Sequence, residues 1–208
     1  MGEYICSNCI YKVRSPKLVC LECNKPSIDG FTHTKCQKKH GLNGLVSLWN
    51  YDGVIRKALL ALKYKYATEV AKELISYIGT ELESKKFILG QRAILVSIPL
   101  HWYRENYRGF NQSEILGKEV AKKMGWKFLS DLLVKKKLTP PQVGLKGKTR
   151  EQNIQGVFSL NSNHYSLVPS ASFILFDDVC TTGSTLKEAA KVLKRNGAEK
   201  VWGLTVAK

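Results

Sequence analysis

Between Ile174 and Thr185 the chain reads Ile-Leu-Phe-Asp-Asp-Val-Cys-Thr-Thr-Gly-Ser-Thr, an apolar run that ends in two adjacent carboxylates and passes through a hydroxyl-rich turn into a helix. The helix is marked by Leu186, Ala189, Ala190 and Leu193 on one face, a capping pair Thr185 and Glu188, basic Lys194 and Arg195 in the last turn, and Gly197 as the stop. A further apolar strand, Val201 to Val206, follows. Strand, loop, helix and strand in that order make a βαβ unit, which calls for a parallel sheet flanked by helices. This one segment confines the chain to the α/β class.

It also carries chemistry. Open parallel sheets bind ligands beyond the carboxyl ends of their strands, where Asp177 and Asp178 are expected to stand. Neighbouring carboxylates accept hydrogen bonds from the vicinal hydroxyls of a ribose. The turn Thr181-Thr182-Gly183-Ser184-Thr185 offers backbone N–H groups and hydroxyls to a phosphate, Gly183 lets the backbone approach closely, and the helix adds the positive end of its dipole. Taken singly, paired aspartates or a Gly-Ser turn only cap a helix. Together they describe a ribose-phosphate site.

Elsewhere the pattern agrees with a layered α/β domain. Val46 to Tyr51 reads as a strand, Val54, Ala58, Leu59 and Leu62 as one helix face, and Ala67 to Glu83 as a second helix with Val70, Leu74, Ile78 and Leu82 in a stripe. Lys63, Tyr64 and Lys65 end the first helix. Ala93 to Ile98 is the near-continuous apolar run of a strand covered on both faces. A loop with His101, Arg104 and Arg108 follows, and arginine forks match phosphate oxygens. Asn111 or Gln112 then starts an amphipathic helix through Met124, and Asn161 to Ser172 reads as a polar surface loop. Lys135, Lys136, Lys137, Lys146, Lys148 and Arg150 fall in a stretch with no acid between Asp131 and Glu151. With Pro140, Pro141, Gly144 and Gly147 it reads as a loop able to fold over a charged ligand or track a phosphate backbone. Tyr51, Trp102, Tyr103, Tyr107 and Phe110 are aromatic groups able to stack bases or to fill a core.

Lys and Arg number 33 against 17 Asp and Glu, a formal net charge of +16 over 208 residues. Such a field favours polyanions, whether a diphosphate or a nucleic-acid backbone, although a charged solubility surface has the same composition. There is no apolar run of the ~20 residues that a membrane helix needs, and no basic-then-apolar leader, so the expected location is cytoplasmic with no membrane insertion. There the six cysteines stay reduced, and closely spaced pairs are metal ligands rather than disulfides. Cys6 and Cys9, then Cys20 and Cys23, form two C-x-x-C pairs with a short hairpin between them, a set suited to a tetrahedral structural Zn²⁺. A thioredoxin-like use of C-x-x-C lacks its βαβ surroundings. His33, Cys36 and His40 follow closely, and Cys20, Cys23, His33 and Cys36 make an alternative four-ligand set. The expected organisation is a cysteine-rich zinc-binding module over 1–41, a linker Gly41 to Gly44, and the α/β domain over 45–208. Cys180, inside the phosphate turn, reads as a small semi-apolar spacer.

The segment from Asp177 to Thr185 resembles the phosphoribosyl pyrophosphate (PRPP) signature of type I phosphoribosyltransferases. The whole chain is similar to the ComF/GntX family through its first C-x-x-C pairs, Leu62-Lys63-Tyr64, Ile98-Pro99-Leu100-His101, Arg108-Gly109-Phe110-Asn111-Gln112, Pro141-Gln142, Arg150 with Asn153, and the final signature. The family often has extra cysteine pairs near its start, and here the second set is incomplete. The resemblance implies a Rossmann-like parallel sheet of phosphoribosyltransferase type beside a small zinc-ribbon or knuckle module. It further implies PRPP or another ribose phosphate bound with Mg²⁺, by Asp177, Asp178 and Thr181 to Thr185, with Arg104 and Arg108 facing the pyrophosphate. Catalysis would be phosphoribosyl transfer with Asp177, Asp178 and Arg108 at the reacting groups. A link to natural competence is implied as well, with single-stranded DNA and competence-machinery proteins as partners. The alternative is a DNA-binding competence protein that uses the basic cleft with little or no transferase activity. No residue commits the chain to an acceptor or supplies an assignable general base.

Overall fold

Alternate burial along β6 (Ser172–Val179) builds the molecule outward from its centre: Phe173 and Leu175 join one apolar cluster, Ile174 and Phe176 the other. A strand with core on both faces must be interior, and in the computed structural model β6 is the middle of a five-stranded sheet. Residues 5–62, 67–83, 85–90, 92–136 and 154–208 are described by this structure. The other strands are β1 (Gly44–Trp49), β2 (Ile94–Ser97), β3 (Lys127–Leu129) and β7 (Lys200–Ala207), in the order β1-β7-β6-β2-β3 with every pair parallel.

The helices are α1 (Ser7–Ile10), α2 (Gly53–Ala61), α3 (Ala67–Glu83), α4 (Lys86–Leu89), α5 (Trp102–Arg108), α6 (Gln112–Met124) and α7 (Ser184–Arg195). On one face α2, α3 and α6 cover the sheet through Leu59, Leu74, Ile78, Leu116 and Val120. On the other face lie α7, through Leu186, Ala189, Ala190 and Leu193, and a two-stranded antiparallel ribbon, β4 (Leu133–Lys135) with β5 (Phe158–Leu160). The Asn161 to Ser172 stretch, expected as a loop, contains a 3-10 helix over Ser162–Leu167 and ends on the first residue of β6.

The cysteine-rich segment packs against this body. Ile5 is buried among α2 and α3, and its N–H donates to Glu73 Oε2 at 2.7 Å. Phe31 meets Trp202 edge-on at 4.7 Å between ring centroids. The expected linker is stitched to the sheet as well, since Asn43 N–H donates to Val201 O and Val201 N–H to Asn43 Oδ1, both at 2.8 Å. Gly44 already belongs to β1, and a Cβ there would lie 2.2 Å from the Trp202 ring.

The chain leaves β2 toward β3 by way of α6 and leaves β6 toward β7 by way of α7. These exits run to opposite sides and over opposite faces. The carboxyl ends of β2 and β6 therefore flank a topological switch point, where an open α/β sheet has its crevice. Among the described residues no helix is long and apolar enough to cross a membrane.

Candidate functional site

Asp177 and Asp178 stand near the carboxyl end of β6, on the edge of that crevice. Asp177 Oδ1 accepts from Ser113 Oγ and from Asp178 N–H, each at 2.9 Å, and Asp178 Oδ1 accepts from Val179 N–H at 2.8 Å. Burial, reinforced by the neighbouring Asp178 charge, pushes the Asp177 carboxyl up to about 8, against the pull of the Ser113 hydroxyl and the Asp178 N–H. A carboxyl shifted this way at a crevice mouth is the kind of group that functional sites use, which makes Asp177 a candidate. Its oxygens and those of Asp178 are hard donors of the kind that Mg²⁺ takes, one or two at a time, alongside substrate phosphates.

The turn after β6 runs through an exposed Thr181 and half-buried Thr182 to buried Gly183 and Ser184. Gly183 caps α7 at φ 73°, a left-handed conformation that favours glycine. Thr182 Oγ1 and Ser184 Oγ are hydrogen-bonded at 2.8 Å, and Ser184 N–H reaches Thr182 Oγ1 at 3.4 Å. The helix therefore begins at Ser184, one residue before the expected cap at Thr185. Glu188 is not the other half of a capping box. It accepts from Gly156 N–H at 2.8 Å and pairs with Lys191 at 2.9 Å. The first turn of α7 leaves N–H groups without intrahelical partners, the basis of anion binding at a helix start. Cys180 is buried, and that burial raises its thiol to about 11, which suits a packed spacer and not a reactive thiolate.

Across the crevice, the segment after β2 is a helix where a loop was expected. His101 Nδ1 accepts from Tyr103 N–H to start α5, and Gly109 at φ 79° ends it. Arg104 and Arg108 lie on α5 with side chains outside the described part of the structure. Trp102, Tyr103 and Tyr107 of the same helix are 64%, 56% and 87% exposed. Asn111 caps α6 by accepting from Ser113 N–H at 3.0 Å and donates through Nδ2 to Ile98 O at 3.1 Å, tying α6 to the exit of β2. Sequence reasoning found Asn111 as a helix start but missed Ser113, whose partner lies 64 residues away. Lys63, Tyr64, Lys65, Lys137, Pro140, Pro141, Gln142, Gly144, Lys146, Gly147, Lys148, Arg150 and Asn153 lie outside the described residues.

Among the described residues, the group placed to hold a metal ion is the alternative set. Cys20, Cys23, His33 and Cys36 bring their ligand atoms within 4.8 Å of one another, three sulfurs and a nitrogen in a spacing suited to tetrahedral Zn²⁺. Cys6 and Cys9, expected as half of the set, fall outside this group and are exposed; the Cys9 thiol is raised chiefly by its hydrogen bond to Cys6. His33 Nε2 lies 3.0 Å from Pro26 O while Nδ1 lies 3.3 Å from Cys23 Sγ, so an Nε2–H donated to the carbonyl leaves Nδ1 facing the metal position. Burial opposes the Cys20 thiolate, yet the N–H groups of His33, Cys23 and Glu22 outweigh it and bring that thiol down to about 7. Burial and the sulfurs of Cys23 and Cys20 hold Cys36 up to about 11, crowding that a bound cation reverses.

The two sites touch. Leu21, inside the second C-x-x-C, lies over Gly183, where a Cβ would come within 2.6 Å of its methyl carbons. Glu22 pairs with Lys187 of α7 at 3.5 Å.

The chain is 30% identical to the DNA utilization protein YhgH of Escherichia coli strain K12, over 96% of this chain and 89% of that protein. With the Salmonella typhi protein of the same name, identity is 32% over the same shares. Competence protein F of Haemophilus influenzae is 37% identical over 54% of this chain and 50% of its own length. No protein-family model matches. Among solved structures, the glutamine PRPP amidotransferase of B. subtilis superposes with a TM-score of 0.43 at 16% identity, covering 66% of this chain and 26% of that one. A hypoxanthine phosphoribosyltransferase from Staphylococcus aureus gives 0.37 at 14%, covering 65% and 61%. Identity of this level along nearly the full length, together with the shorter competence match, places the chain in the family of the DNA utilization protein YhgH and competence protein F, which is the ComF-type family that the sequence resembled.

Proposed function

We propose that the chain binds PRPP, or another ribose phosphate, with Mg²⁺ at the crevice between β2 and β6, and transfers the phosphoribosyl group with release of pyrophosphate. The observation that carries this reading is the half-buried Asp177 beside Asp178 at the end of β6, one short turn from the hydroxyl-lined start of α7. In the transfer a nucleophile bonds to the anomeric carbon, the bond from that carbon to the diphosphate oxygen breaks, its electron pair leaves with pyrophosphate, and the nucleophile gives up a proton. Asp177 and Asp178 orient the sugar through its hydroxyls, and Thr181 to Thr185 hold its 5-phosphate. Arg104 and Arg108 neutralise charge growing on the leaving group. Bound Mg²⁺ supplies further charge neutralisation to the diphosphate. Mg²⁺-PRPP should raise the melting temperature of the native protein and not that of the Asp177→Asn, Asp178→Asn variant, and pyrophosphate should appear when candidate bases are added. An unshifted native protein contradicts the reading.

A second reading is favoured by separate observations: relatives named for DNA utilization and competence, a net charge of +16, and the three exposed aromatic residues of α5. Here the protein binds single-stranded DNA, with aromatic groups stacking on bases and cations on the backbone. Affinity for an oligonucleotide should fall steeply with salt, and charge reversal across Lys135 to Lys137 should reduce that slope. Salt-insensitive or undetectable binding leaves the transferase reading alone.

A further inference from the structure

A groove of about 780 Å³ runs from Ser184, at the phosphate turn, along the outer side of α7. We infer that this groove is a track for the phosphodiester backbone of a single strand. Lys187, Lys191 and Arg195 line it from α7 at four-residue steps, which on an α-helix is one stripe of cations about 6 Å apart along the axis. Lys38 and Lys39 line the facing wall, just after Cys36 of the candidate metal cluster. The helix can present this stripe because its opposite side, Leu186, Ala189, Ala190 and Leu193, is committed to the core.

Two carboxylates share the groove, and both have partners. Glu22 bridges Lys38 at 2.6 Å and Lys187 at 3.5 Å, while Glu188 holds Gly156 N–H and Lys191. Five cations against two acids leave the cavity with a net charge of +3. Lys39 and Arg195 have no acid partner among the described residues. Like charges gathered in a concave surface concentrate a positive potential there, and a polyanion relieves their repulsion. A linear run of cations at this step matches a ligand with regularly repeated phosphates better than it matches one compact anion. A cavity of this volume seats a few nucleotides of one strand and not the width of a duplex. Among the described residues no tryptophan, tyrosine or phenylalanine lines it, so it reads backbone and not sequence.

The inference rests on the strand-binding reading above and can fail separately from it. The test is fluorescence anisotropy of a labelled twelve-residue oligothymidylate with the full chain, between 50 and 300 mM salt. Lys39→Ala with Arg195→Ala should weaken binding about tenfold and lower the slope of log affinity against log salt by about 1.4, at roughly 0.7 for each lost phosphate contact. Lys118→Ala with Lys122→Ala, an equal charge loss on α6 across the sheet, should leave the slope within half of that change. The Mg²⁺-PRPP melting shift should persist in both variants. Equal effects of the two pairs, no effect of the groove pair, or duplex bound as tightly as single strand overturns the groove. Native protein that binds no strand overturns the strand-binding reading as well.

Discussion

Replacing Asp177 by asparagine should stabilise the protein while removing its proposed ligand. The carboxyl moves from an ordinary value of 3.8 to about 8 on folding, through burial and the adjacent Asp178. Between those values the unfolded chain has lost a proton that the folded chain keeps. The associated stability is complete below the unfolded value, declines as pH rises, and is gone above the folded value, with a slope of at most about 1.4 kcal/mol per pH unit. The ceiling near pH 8 is thus about 6 kcal/mol, and because Asp177 keeps partial solvent access, about 2–3 kcal/mol is the expected cost. The asparagine amide keeps an oxygen for Ser113 Oγ–H and Asp178 N–H but carries no charge. Urea unfolding of the ligand-free native protein and its Asp177→Asn variant at pH 5, 6, 7 and 8 isolates Asp177 together with its coupling to Asp178, because titrations away from this pair are common to both. The variant's advantage should grow with pH and reach about 2–3 kcal/mol at pH 8. A variant no more stable than native at pH 8, or an advantage independent of pH, refutes the reasoning.

Gly183→Ala combines a left-handed φ, costing about 1 kcal/mol, with overlap on Leu21, costing roughly 1–3 kcal/mol more. Leu21→Ala removes the overlap, so the double variant should be less destabilised than the sum of the two by at least ~1 kcal/mol in urea unfolding, and simple additivity contradicts the contact. Metal analysis by native mass spectrometry should find zinc lost in Cys36→Ser and His33→Ala and retained in Cys6→Ser; the reverse pattern restores the four-cysteine set. Ser113→Ala takes a hydroxyl donor from Asp177 and should lower Mg²⁺-PRPP affinity at pH 7 by roughly three- to tenfold, the worth of one ordinary hydrogen bond, with the melting temperature of the free protein little changed.

What could be read in the sequence was local. The stripe Val70, Leu74, Ile78 and Leu82 defined α3 to its ends, and the run from Ile174 to Val206 located β6, the phosphate turn, α7 and β7 in order. These segments carry their periodicity and their punctuation within a few residues. What was missed depends on partners distant in the chain. Ser113 is an ordinary helix-start serine until the fold sets it against Asp177, and Glu188 fits a capping box until Gly156 N–H arrives. The strands β4 and β5, three residues each, are too short to show a period. For the metal, C-x-x-C spacing gave equal weight to Cys6 and Cys20. The 3-10 turn Thr34–Cys36, which brings His33 and Cys36 to the second pair, is what the spacing does not show. The intimate packing of Leu21 on Gly183 had no sequence signal, since either residue alone is unexceptional.

The most direct measurement is isothermal titration calorimetry of PRPP in Mg²⁺ against the native chain and against the Asp177→Asn, Asp178→Asn variant. Saturable binding near one ligand per chain, abolished in the variant while its fold persists, is the predicted result. Equal heats from both proteins, or none from the native chain, would contradict a ribose-phosphate site at the end of β6.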